Sequence, residues 1–105
     1  DNANKLASKY TMDQEEFRVI VVTYLSDSQY RIEEPSGSYP WEGTAILDGG
    51  QLSGDAKFKE SFATMRVDGT LRSEGTIDVQ YIFITDGDGN PANGRVDRHV
   101  WYPIP

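Results

Sequence analysis

The sequence predicts an all-β fold: an antiparallel meander of about seven strands closing into a small up-and-down barrel, with a β-sandwich as the alternative. Three observations predict it. Short runs rich in β-branched and aromatic residues alternate apolar and polar side chains along most of the chain. Glycine, asparagine, aspartate and proline separate these runs at short intervals. Beyond residue 16 no segment carries helical periodicity, and without crossover helices a parallel sheet is excluded.

The length of 105 residues suits one domain, divided into an N-terminal arm, 1–16, and a barrel, 17–105. Thr11 and Gln14 in "TMDQEE" are spaced to cap one helical turn in the arm. "FRVIVVTYL", Phe17 to Leu25, is apolar on both faces around Val19 to Val22, as in a strand covered on two sides. "SDS" is a turn, and in "QYRIEE" Tyr30 and Ile32 alternate with Arg31 and Glu33. Pro35, Gly37 and Pro40 make "PSGSYP" a loop.

The clearest local signal follows. "WEGTAILD" and "QLSGDAKF" flank Gly49-Gly50, a dipeptide able to take positive φ at both positions of a two-residue turn. That turn pairs Leu47 with Leu52, Ala45 with Gly54, Gly43 with Ala56 and Trp41 with Phe58, so one face is apolar throughout. Downstream, Leu71 paired with Gly75 sets Val67 against Val79, Met65 against Tyr81 and Ala63 against Phe83. The last strand, "RVDRHVWY", is expected to pair with Ile84 opposite Arg95. Val96, Arg98, Val100 and Tyr102 then face inward, and Asp97, His99 and Trp101 outward. A flat sheet of this kind would leave an apolar face uncovered, so it must close or fold over.

Composition narrows function. Ten Lys and Arg against seventeen Asp and Glu give a net charge of -7, which repels a phosphate backbone, so nucleic acid is not an expected partner. The absence of cysteine removes thiol catalysis, disulfides and thiolate zinc sites. No apolar run approaches the roughly 20 residues of a membrane-spanning helix. The first residue is Asp1 rather than Met, which fits an exported chain after signal cleavage, secreted or periplasmic.

Four groups of residues could carry chemistry. In "ITDGDGNPANGRVD", Asp86, Asp88 and Asn90 alternate as the oxygen ligands of a helical calcium loop do, but Pro91 stands where that loop needs glycine, and Asp97 where it needs glutamate. Calcium is the one ion these residues could hold, and an ordinary turn is the preferred reading. An inward Arg98 beside Tyr81 would need a carboxylate, a ring or an anionic ligand. Asp97 and His99 on a solvated face lack a nucleophile and a pocket, and opposed Asp68 and Asp78 would repel unless Arg66 or a cation intervened. Finally, Trp41 and Tyr102 lie near strand ends, where rings can meet a ligand.

These features lead to the expectation of a non-enzymatic exported binding module for a small, partly apolar, anionic ligand. Trp41, Tyr81, Arg98 and Tyr102 are its wall and anchor, and no cofactor is expected. The alternative is a protein-interaction domain, such as an inhibitor, immunity or assembly protein, with a filled core and an acidic loop or edge for its partner.

Overall fold

The computed structural model describes residues 6–105. Eight strands follow one another: β1 (Lys9–Met12), β2 (Glu15–Ser26), β3 (Gln29–Glu34), β4 (Trp41–Asp48), β5 (Gln51–Phe58), β6 (Thr64–Leu71), β7 (Ile77–Thr85) and β8 (Val96–Pro103). Each pairs antiparallel with the next, and β1 pairs with β8, so the meander is a closed barrel. No helix, and so no helix long and apolar enough to cross a membrane, occurs among the described residues.

The arm is where the expected element type differs. Residues 11–16 form a hairpin instead of a helical turn. Met12 pairs with Glu15 across Asp13 and Gln14, both left-handed, at φ 55° and 63°. Aspartate tolerates that conformation, and the Asp13 carboxylate, released from the turn, accepts the Val100 amide of β8. β1 thereby supplies the eighth strand, and its buried Tyr10 and Met12 fill the barrel from the seam between β2 and β8.

The β4–β5 hairpin has the expected register at every position, from Asp48–Gln51 to Trp41–Phe58. Gly49 and Gly50 take φ of 57° and 83°, the primed geometry whose twist matches the strands. A Cβ on Gly43 would lie 2.0 Å from the Asp55 carbonyl oxygen, and one on Gly54 2.5 Å from that of Thr44. The small residues of this face therefore let two backbones approach where the sheet coils, and they do not leave room for a ligand.

Two later registers differ from expectation in instructive ways. Between β6 and β7 the partners are Leu71–Ile77, Val67–Tyr81 and Met65–Phe83, two residues from the expected pairing. A tight turn accounts for this, with the Gly75 amide on the Arg72 carbonyl and the Arg72 amide on the Thr76 carbonyl. A shift of two leaves every side chain on its expected face. Between β7 and β8 the shift is one: Ile77 meets Trp101, Val79 meets His99 and Tyr81 meets Asp97. That reverses the faces. Trp101 is fully buried and His99 and Asp97 turn inward, whereas Arg98 is exposed, Val100 and Tyr102 are half-buried and Val96 is exposed.

Burial explains the choice. One residue away, Tyr102 would take the place of Trp101 opposite Ile77 and Arg98 would turn inward opposite Tyr81; the observed register instead buries the tryptophan, roughly 150–250 Å² taken from water, and leaves the Arg98 charge in solvent. The ten-residue connection accommodates the slip by folding on itself. The Asp86 amide donates to the Asn90 carbonyl, and a second turn runs through left-handed Asn93 and Gly94.

Inside, alternate residues of all eight strands form one core. One end, closed by the tight turns at 27–28, 49–50 and 72–76, is filled by Leu47, Leu52, Ile77 and Val79 among others. The other end carries the three longer connections, 35–40, 59–63 and 86–95, and remains open. An eight-stranded barrel is just wide enough for side chains to fill, so the large rings of Trp41, Tyr81 and Trp101 decide how deep the opening runs.

Candidate functional site

At the open end the inner faces of β2 and β3 bring together two charged residues. Arg18 precedes Ile20 and Val22 on the inward side of β2, and Glu34 follows Tyr30 and Ile32 on that of β3. Glu34 is 1% exposed and is the buried charged residue of the described core. It is fully engaged. Arg18 Nε donates to Oε2, Arg18 Nη2 to Oε1 at 3.0 Å, and Trp41 Nε1 to Oε1 at 3.1 Å. The Glu34 hydrogen bonds hold the Arg18 guanidinium above its already high ordinary pKa.

The network continues around the barrel. Arg18 Nη2 also approaches Met12 Sδ at 3.9 Å, the Tyr81 hydroxyl donates to that sulfur at 3.5 Å, and Trp101 Nε1 donates to the Tyr81 hydroxyl at 3.1 Å. Burial pushes the Tyr81 phenol far above its ordinary value, so it stays neutral. No buried side-chain polar atom among the described residues lacks a hydrogen bond, as a buried polar layer requires.

This layer is the floor of a cavity of about 460 Å³ that opens between the long connections. Its walls are largely aromatic. Trp41 meets Tyr81 edge to face at 5.6 Å, and Phe58 and Phe83 stack at 5.9 Å. The Arg95 guanidinium lies 4.8 Å from the Phe83 ring centre and reaches Asp97 at 3.3 Å. His99, against the Tyr81 ring at 4.9 Å, completes one side, with its Nδ1 2.8 Å from Asp13 Oδ2. Tyr39 and Phe62, 75% and 76% exposed, stand on two of the connections at this end.

Of the residues expected to bind a ligand, the fold brings Trp41 and Tyr81 together in this cavity. Arg98 lies on the other side of the barrel wall, in an outer groove shared with Asp68, Arg72 and Asp78 and bordered also by Asp13 and His99, and Tyr102 faces outward on β8. The inner cations are Arg18 and Arg95. The Asp68–Asp78 opposition does not form: Asp68 pairs with Gln80 and Arg66, and Asp78 with Thr70 and Arg72.

Asp86 uses one oxygen, Oδ1, to accept the amides of Asp88 and Asn90, both at 3.0 Å. The described residues include no cluster of three or more metal-ligating acids and histidines. Asp86, Asp88 and Asn90 thus have the geometry of a self-bonded turn.

The Arg18–Glu34 pair was legible in principle. Period two, continued one step beyond Ile32 and one step before Ile20, puts opposite charges on the inner faces of adjacent strands. No protein-family model, curated protein or solved structure matches the chain, so the geometry of the cavity is what bears on its use.

Proposed function

We propose that the protein is a binding module, not an enzyme, that holds one small, partly apolar molecule with an acidic or anionic group at the open end of its barrel. One observation carries this reading: a cavity of about 460 Å³ with aromatic walls and a fixed charged floor. That size falls within the roughly 300–1,000 Å³ of small-molecule sites, and apolar walls with a few convergent polar groups are their usual composition. The anchors are Arg18 at the floor and Arg95 at the rim, with Trp41 and Tyr81 as walls.

A titration with anilinonaphthalene sulfonate, an apolar anion, tests it. Saturable binding at one site, lost when Ala63→Trp fills the cavity in a variant of unchanged melting temperature, is the expected result. Dye binding that Ala63→Trp leaves intact would remove the cavity from the account.

The second reading, a protein-interaction domain, is favoured by exposed Tyr39 and Phe62 at the same end. Closure of the sheet leaves no unpaired edge strand among the described residues, so a partner would meet the loops. Tyr39→Ser with Phe62→Ser discriminates: loss of a partner with dye binding intact would favour this second use.

A further inference from the structure

His99 is the histidine of the chain; it borders both the cavity and the outer groove, packs against the Tyr81 ring and is hydrogen-bonded at one ring nitrogen, Nδ1. Its brace is rigid. Asp13 Oδ2 lies 2.8 Å from Nδ1, Asp13 Oδ1 accepts the Val100 amide at 2.8 Å, and the Asp13 amide donates to the Val100 carbonyl at 2.7 Å. Partial burial pushes the Asp13 carboxyl up, but the Val100 amide and His99 more than offset it, so it sits below the usual carboxylate range. An ionised carboxylate can only accept, so a neutral His99 carries its proton on Nδ1 and presents a lone pair at Nε2. Nε2 has no hydrogen-bond partner among the described residues.

Apart from Arg98, the other charged and phenolic groups near the imidazole each have a partner. Arg18 from β2 is bound to Glu34 of β3, and Tyr81 from β7 donates to Met12 of β1. Asp97 on β8 holds Arg95, and Asp86 in the preceding connection holds two backbone amides. On the outer side, Arg72 is bound to Asp78 and Arg66 to Asp68, while exposed Arg98 follows the wall of the outer groove. His99 Nε2 is therefore a proton acceptor left free among the described residues, on a residue that borders both the cavity and the outer groove.

Resting on the cavity reading above, we infer that the ligand is an aromatic or partly apolar molecule with a weakly acidic hydroxyl, whose proton His99 takes up. The ligand O–H bond breaks heterolytically. The proton goes to Nε2 and the electron pair stays on oxygen, leaving an oxyanion against an imidazolium that Asp13 neutralises from behind. No oxidant, reductant or further reactant is needed.

The experiment compares 4-nitrophenol, whose phenolate absorbs visible light, with 4-nitroanisole, which has no proton to give. At about pH 6 the phenol should bind roughly tenfold tighter than the ether, with the phenolate band present. In His99→Gln the band should vanish and the two probes should bind alike, and Asp13→Asn should weaken the band. Phenol bound without the band, or a band unchanged in His99→Gln, would overturn the inference while leaving the cavity reading intact. Failure of both probes to bind the parent protein would overturn both.

Discussion

The indole Nε1 of Trp101 donates to the Tyr81 hydroxyl at 3.1 Å, tying together inward rings of two neighbouring strands, β8 and β7. This bond exists because β8 takes the register that turns Trp101 inward. One residue away, Tyr81 would face Arg98 instead, and the floor of the cavity would need a different partner for its phenol. Register, ring network and cavity depth are one structural decision.

Replacing Trp101 tests that decision. Trp101→Phe keeps most of the ring volume and removes the hydrogen bond to Tyr81, with an expected loss of about 1–2 kcal/mol. Trp101→Ala opens the core and should cost about 3–5 kcal/mol. Urea denaturation measures both. An alanine variant as stable as the parent would mean that burial of this ring does not set the register.

The buried ion pair should respond asymmetrically to loss of its partners. Glu34 is 1% exposed, whereas the Arg18 side chain is 28% exposed and can turn to water. Arg18→Leu, which strands a buried carboxylate, should cost about 3–5 kcal/mol, and Glu34→Leu clearly less. Arg18→Leu with Glu34→Leu should be more stable than Arg18→Leu alone. Chemical denaturation of the three variants gives the cycle, and equal single losses would contradict the burial difference.

Asp13 gives a pH dependence with a definite sign. Its folded pKa is lowered, so its contribution is present above the unfolded value of about 3.9 and is lost as pH falls through the folded one. Asp13→Asn keeps a residue suited to left-handed φ and removes the charge. The stability gap between parent and variant, followed by thermal melts, should therefore narrow below about pH 4. A gap that widens there would reverse the assignment.

For the 86–95 connection, the self-bonded turn predicts indifference to calcium. Millimolar calcium should leave the melting temperature unchanged, and Asp86→Ala should lose about 1–2 kcal/mol with or without the ion, because two amides lose their acceptor. A calcium-dependent rise in melting temperature, abolished in Asp86→Ala, would restore the metal site.

How far the sequence could be read followed the length of each connection. Gly49-Gly50 leaves two residues to place, and every pair from Trp41 to Phe58 followed from it. The 72–76 turn permitted a slip of two, which costs a reader nothing in facing. The ten-residue connection permitted a slip of one, and with it Arg98 and Tyr102 were expected inside while Trp101 and His99 were expected outside. β1 was hidden for another reason: four residues with Tyr10 and Met12 inward are too few to show a period. Of the site, Trp41 and Tyr81 were visible as large apolar residues in phase. Arg18 and Glu34 were not singled out, because a charge at an inward position reads as the end of a strand until its counterpart is placed beside it.

The seam between β1 and β8 has a further implication for how the chain comes together. Three paired positions, Tyr10–Pro103, Thr11–Tyr102 and Met12–Trp101, flanked by the bonds of Asp13 to Val100 and His99, join residues about ninety apart, whereas every other seam joins consecutive strands. Bringing such distant segments together has the largest entropic barrier, so this seam should zip last in folding and open first in the native state. Hydrogen exchange would then be fastest along β1, and a molecule entering or leaving the barrel could use that transient gap as a second route beside the mouth.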